Sequence, residues 1–79
     1  MDYDTDKVDE FTLALLWLTT FKDPSGTRAW KGQDWGTMER LHAKGLLSDP
    51  RSKTKSVLLS EEGEKRSREL FAKHFSLKP

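Results

Sequence analysis

Five cations and two uncharged polar residues stand where a polynucleotide can be gripped: Gln33, Thr37, Arg40 and Lys44 in one stretch, then Arg51, Lys53 and Lys55. On a helix, positions 33, 37, 40 and 44 return to one side, because steps of three and four residues stay on a face. From there Arg40 can meet guanine, Gln33 adenine and Lys44 a phosphate. Arg51, Lys53 and Lys55 can hold a backbone by neutralising phosphates and releasing counterions. The same residues also fit ordinary solvated faces and a charged edge that discourages sheet aggregation. A second grouping, Arg28-Ala29-Trp30-Lys31-Gly32, sets a tryptophan between two cations. That indole can stack on a base, a nucleotide or a peptide side chain, or it can close over the core beside Trp35 while the cations stay in water.

Enzyme chemistry finds less support. His42 and His74 lie 32 positions apart, without metal-ligand spacing around either. Ser48, Ser56 and Ser60 lack a nucleophile elbow, and no glycine-rich phosphate loop is present. Glu61 and Glu62 are explained by a helix start. With no cysteine, neither a disulfide framework nor a thiolate metal site is available. The expectation is a non-enzymatic protein with no catalytic residue, no metal ligand and no cofactor.

The elements that must carry these groups follow from local signals. Asp34 caps a helix whose apolar stripe is Trp35, Met38 and Leu41. Lys44 suits its negative end, and Gly45 can take the left-handed conformation that stops it, leaving Leu46 to fold back. Residues 1–4 read as a frayed lead-in. Thr5 or Asp6 then caps a first helix running to about Thr20, with Asp6, Asp9 and Glu10 at its positive end. Its apolar arc, Val8, Phe11, Leu15 and Leu18 widened by Leu13, Leu16 and Trp17, is too broad for one stripe. The helix either crosses the middle of a monomer core or presents Leu13, Leu16 or Trp17 to a second copy.

Residues 21–33 read as a loop with a tight turn at Asp23-Pro24-Ser25-Gly26 and at most one short extended piece. Leu46-Leu47-Ser48 starts a strand, residues 49–53 turn, and residues 54–59 return as the second strand of a hairpin that must lie on the helices. Ser60 caps the third helix, with Leu70, Phe71 and Phe75 as its apolar face. Gly63 inside its first turn costs about 1 kcal/mol relative to alanine, so something must pack closely against it.

A chain of 79 residues without cysteine depends on its apolar core, and the eight aromatic residues are the expected bulk of it. The fold class is mainly α with a small β-hairpin, a single domain over residues 1–79. Net charge is +1, but residues 1–20 sum to minus four and residues 21–57 to plus four. No apolar run is long enough for a membrane span and the start is acidic where a secretory signal is basic, so the expected location is the cytoplasm.

The order helix, loop, helix ending in Lys44-Gly45-Leu46-Leu47, basic hairpin, then Val57-Leu58-Leu59-Ser60-Glu61-Glu62-Gly63 and a long helix resembles the winged helix of bacterial regulators. The chain is also similar over nearly its whole length to a family of short bacterial proteins of unknown function. That similarity is carried by residues 1–7, 13–18 and 28–32, by Arg40-Leu41-His42, by Asp49-Pro50 and by Lys53-x-Lys55-Ser56-Val57. The winged-helix resemblance implies a DNA-binding regulator contacting double-stranded DNA through Gln33, Thr37, Arg40, Lys44, Arg51, Lys53 and Lys55. It departs from that fold in leaving only residues 21–33 where a full helix normally stands, so the expectation is a reduced, winged-helix-like three-helix domain. The alternative expectation is an interaction module that binds itself or another protein through Leu13, Leu16, Trp17, Arg28, Trp30 and Lys31, without nucleic acid.

Overall fold

A computed structural model describes residues 1–77. Its elements are α1 (Thr5–Leu16), a 3-10 turn (Trp17–Thr19), β1 (Phe21–Asp23), β2 (Gly26–Trp30), α2 (Trp35–Ala43), β3 (Ser56–Leu58) and α3 (Glu61–Phe75). The strands form an antiparallel sheet in the order β1-β2-β3. Three helices and a three-stranded sheet replace the expected three helices and one hairpin.

The helix ends follow local chemistry. Asp4, rather than Thr5 or Asp6, caps α1 by accepting from Lys7 N at 3.0 Å. The α-helical hydrogen bonding of α1 stops at Leu16, where the hydroxyls of Thr19 and Thr20 donate to the carbonyls of Leu16 and Trp17 and tighten the chain into the 3-10 turn. Asp34 caps α2 through Thr37 N. At its far end Gly45 has φ +80°, Gly45 N donates to His42 O, and Leu46 N donates to Leu41 O, the paired bonds of a Schellman stop. Ser60 accepts from Gly63 N while donating to Gly45 O, so one hydroxyl caps α3 and ties it to the end of α2.

The stretch read as a loop, residues 21–33, is largely a β-hairpin. Asp23 pairs with Gly26 across the two-residue turn Pro24-Ser25, and Asp23 accepts from Ser25 N. Thr27 and Ala29 face inward; Phe21, Arg28 and Trp30 share the opposite face. On the other side of β2, Arg28 pairs with Leu58 and Trp30 with Ser56, placing Val57 beside Ala29 in the core.

That core is aliphatic. Leu13, Leu16, Ala29, Met38, Leu41, Leu46, Leu47, Val57 and Leu59 form one buried cluster, with Leu70 packed against it. Each buried leucine or methionine contributes roughly 1.5–3 kcal/mol. The expectation that aromatics fill the core is overturned: none of the eight is buried, and Tyr3, Phe11, Phe21, Trp30, Trp35 and Phe75 are exposed. α3 gets close enough to seal the cluster because its inner face carries small residues. Ser67 is buried and donates to Leu13 O at 2.7 Å, and Gly63 lies against the Leu46 backbone. The close neighbour expected at Gly63 is therefore Leu46.

Candidate functional site

Part of the polar side of α2 faces α1. Asp9, on α1, is 2 % exposed and shares the buried side of that helix with Leu13 and Leu16, four and seven residues on. A buried carboxylate must be paired and hydrogen-bonded, and the partners come from α2. Arg40 Nε donates to both Asp9 oxygens at 2.8 and 3.1 Å, and Lys44 Nζ donates to Asp9 Oδ2 at 2.9 Å. Arg40 also donates to the Thr37 hydroxyl, which donates to Asp34, so the helix cap joins the same network. Burial pushes the Asp9 pKa up, but the hydrogen bonds and charges of Arg40 and Lys44 outweigh it and hold the carboxyl below its ordinary range. Both cations are correspondingly raised, first by their bonds to Asp9. Of the four residues expected to face a groove, Thr37 is fully buried, Arg40 and Lys44 are engaged with Asp9, and Gln33 stays exposed ahead of the helix. Since α1 supplies an acid at the point where α2 crosses it, both cations pair with that acid while their side chains stay partly open to solvent.

The second cationic group is differently placed. After α2, Leu47 bridges Leu59, Ser48 N donates to Leu58 O, and Leu58 N donates to the Ser48 hydroxyl. The chain then projects as residues 49–55 before returning through β3. This is the expected hairpin, shortened to a bridge and a three-residue strand. Beneath it, Lys31 Nζ donates to Pro50 O at 2.7 Å and also to Ser52 O. Arg28 Nε donates to the Ser56 hydroxyl at 2.7 Å, and its terminal nitrogens reach Ser56 O, Thr54 and Ser25. Thr54 donates to Ser56 O, and Asp49 accepts from Arg51 N. The Asp49 carboxyl is held below its usual range by that backbone bond, then by the Arg51 side chain. Arg51, Lys53 and Lys55 all remain exposed on this braced loop.

The proposed interaction residues separate in the same way. Leu13 and Leu16 lie in the core, so they cannot line an interface, and Trp17 is half-buried. Arg28 and Lys31 are half-buried braces. Trp30 does not close over the core beside Trp35; it is exposed on the outer sheet face beside Phe21, with ring centroids 5.9 Å apart. A further aromatic group has no signature in the sequence. Phe11 stacks on His74 at 4.3 Å and meets Phe75 edge-on at 6.2 Å, while His74 Nε2 lies 2.6 Å from Glu10. Phe11 and His74 are 63 positions apart, so only the packing of α1 on α3 unites them.

Residues 4–77 match the model of a domain of unknown function, DUF6429. The chain belongs to this family. It is 50 % identical over 76 residues, covering 96 % of this chain and 99 % of the relative, to the uncharacterized protein y4hR of Sinorhizobium fredii. No solved structure matches it. For this DUF6429 member the sequence signals separate into two sets. Arg51, Lys53 and Lys55 stay together on one exposed loop, whereas Arg40 and Lys44 are drawn away by Asp9. Asp9 could have been suspected from sequence, because a carboxylate four and seven residues before Leu13 and Leu16 sits on an otherwise apolar face. Among the described residues no group of three or more histidine, aspartate or glutamate side chains is placed to hold a metal ion, and no helix is long and apolar enough to cross a membrane.

Proposed function

We propose that the chain is a small non-enzymatic nucleic-acid-binding module, a reduced winged helix that grips the phosphate backbone with its wing, residues 49–55, rather than reading base edges with α2. In this reading the hairpin β1–β2 takes the place of the helix that would otherwise stand between α1 and α2. The observation that carries the proposal is the braced loop: Arg51, Lys53 and Lys55 are exposed, while Arg28 and Lys31 fix the loop from below and add their own charge. A pre-ordered cationic loop contacts phosphate with less backbone freedom to lose on binding.

The test is titration of labelled mixed-sequence DNA, as a single strand and as a duplex, at two salt concentrations. Replacing Arg51, Lys53 and Lys55 together by alanine should weaken binding and lower the salt slope by about 2–3, since each neutralised phosphate contributes roughly 0.9. Gln33→Ala should leave affinity nearly unchanged. Absence of salt-sensitive binding by the wild type, or an unaltered slope in the triple variant, overturns the proposal.

A second reading rests on a separate observation. Phe11, Leu15 and Leu18 recur at helical spacing on the exposed side of α1 and its 3-10 extension, and Phe75 of α3 adjoins Phe11. Such an apolar stripe suits association with a second copy.

A further inference from the structure

The outer sheet face holds groups that a backbone-gripping wing does not require. Strand alternation sends Thr27, Ala29 and Val57 into the core and leaves Phe21, Arg28 and Trp30 side by side on the other face. Phe21 and Trp30 are 38 % and 51 % exposed, and their rings are tilted by 44° to one another. Both stand on paired strands, so their backbones are held before any ligand arrives. Arg28, directly opposite Phe21, is fixed by Ser56, Thr54 and Ser25 and lies 3.9 Å from Asp23. The aromatic pair is continuous with the basic loop: Trp30 pairs with Ser56, and Lys31 N donates to Lys55 O at 3.2 Å. A ligand seated on the rings therefore meets Lys55 one residue before Ser56, with Lys53 and Arg51 three and five positions before it on the same loop.

We propose that this face stacks an unpaired base, so that the preferred ligand is single-stranded nucleic acid whose backbone runs on to Arg51, Lys53 and Lys55. This rests on the nucleic-acid reading above and narrows it. Two features of the face favour this occupant over a protein surface. The cations flanking the rings complement a polyanion, and exposed aromatic rings accept any base because every base offers a π-face. In an intact duplex those π-faces are covered by neighbouring bases, and Phe21 and Trp30 would have no partner.

The test compares a labelled oligothymidylate of about a dozen nucleotides, within the usual site size of a small domain, with a blunt duplex of similar length. The full chain, Trp30→Leu, Phe21→Leu and Trp30→Phe are titrated against both. Wild type should prefer the single strand. Trp30→Leu and Phe21→Leu should each weaken it by roughly 5- to 150-fold, the range that loss of one base stack gives, with little change for duplex. Trp30→Phe should retain most of the affinity, which loss of apolar bulk alone would not explain. If the leucine variants bind the single strand like wild type while the Arg51, Lys53 and Lys55 triple variant loses it, base stacking is refuted and the wing reading stands. If wild type binds neither probe, both fall. Self-association that disappears in Trp30→Leu without binding of either probe assigns the face to a second copy and overturns the inference.

Discussion

A Cβ at position 63 would sit 2.0 Å from the Leu46 carbonyl oxygen and 2.9 Å from its carbon. Alanine is the better helix former by about 1 kcal/mol, yet here the obstacle is backbone and cannot rotate away. Gly63→Ala should therefore destabilise by on the order of 3 kcal/mol despite its higher helix propensity, read as a fall in denaturant midpoint. Asp9 makes the second residue-scale prediction. Its carboxyl is held below the ordinary range, so the stability it contributes is present above the unfolded value near pH 4 and is lost as pH falls through the lower folded value. Asp9→Asn should cost about 1–3 kcal/mol at neutral pH, because the amide can accept only part of what the carboxylate does. Below about pH 4 the variant should lose stability less steeply than wild type. Equal acid profiles for the two proteins would show that Asp9 is not held as described.

At the scale of elements, the projecting loop of residues 49–55 depends on β2. Lys31 donates to two carbonyls of the projecting loop, and Arg28 ties its return strand. Lys31→Met keeps the length of the stem and removes the donor, leaving the carbonyls of Pro50 and Ser52 to water. The cost to global stability should be about 1 kcal/mol, but local opening should increase more. Limited trypsin digestion is the readout, with faster cleavage after Arg51, Lys53 or Lys55 in the variant and an unchanged rate overturning the bracing role. The hairpin that supplies these braces was the element least visible in sequence. Its inner residues, Thr27 and Ala29, are too weakly apolar to show an alternating pattern, and β1 is three residues long. β2 pairs with β1 through a tight local turn, but its other edge is completed only by β3, from a segment nearly thirty residues away.

For the molecule as a whole, the unusual fact is an aliphatic centre with every aromatic side chain at least partly outside it. Aromatic side chains left exposed are the usual anchors of contact surfaces. On α1 the exposed stripe includes Leu15 and Leu18, which are 41 % and 66 % exposed. If this stripe joins two copies, molar mass by light scattering should rise toward the dimer with concentration, remain insensitive to salt and return to the monomer in Leu15→Glu. A monomer at all concentrations removes that second reading and leaves the nucleic-acid reading untouched.

Local chemistry was sufficient for the helix starts near Asp34 and Ser60, the stop at Gly45 and the return of Leu46, because each involves residues within a few positions or a single backbone conformation, whereas at Gly63 the residue type signals a close neighbour that only the fold identifies as Leu46, 17 positions away. The inward stripe of Met38 and Leu41 was equally legible from spacing. Which polar side chains remain free was decided only by the tertiary structure. Spacing alone sets Arg40 and Lys44 on a face suited to a groove, but Asp9, 31 and 35 positions away, pairs with them across the α1–α2 contact. The sequence allows Trp30 either to close over the core or to stand free for a ligand, and strand pairing sets it on the outer face. Helix periodicity and capping are properties of adjacent residues, whereas the pairing of a buried charge and the side of a sheet on which a ring emerges depend on which distant segment arrives beside it.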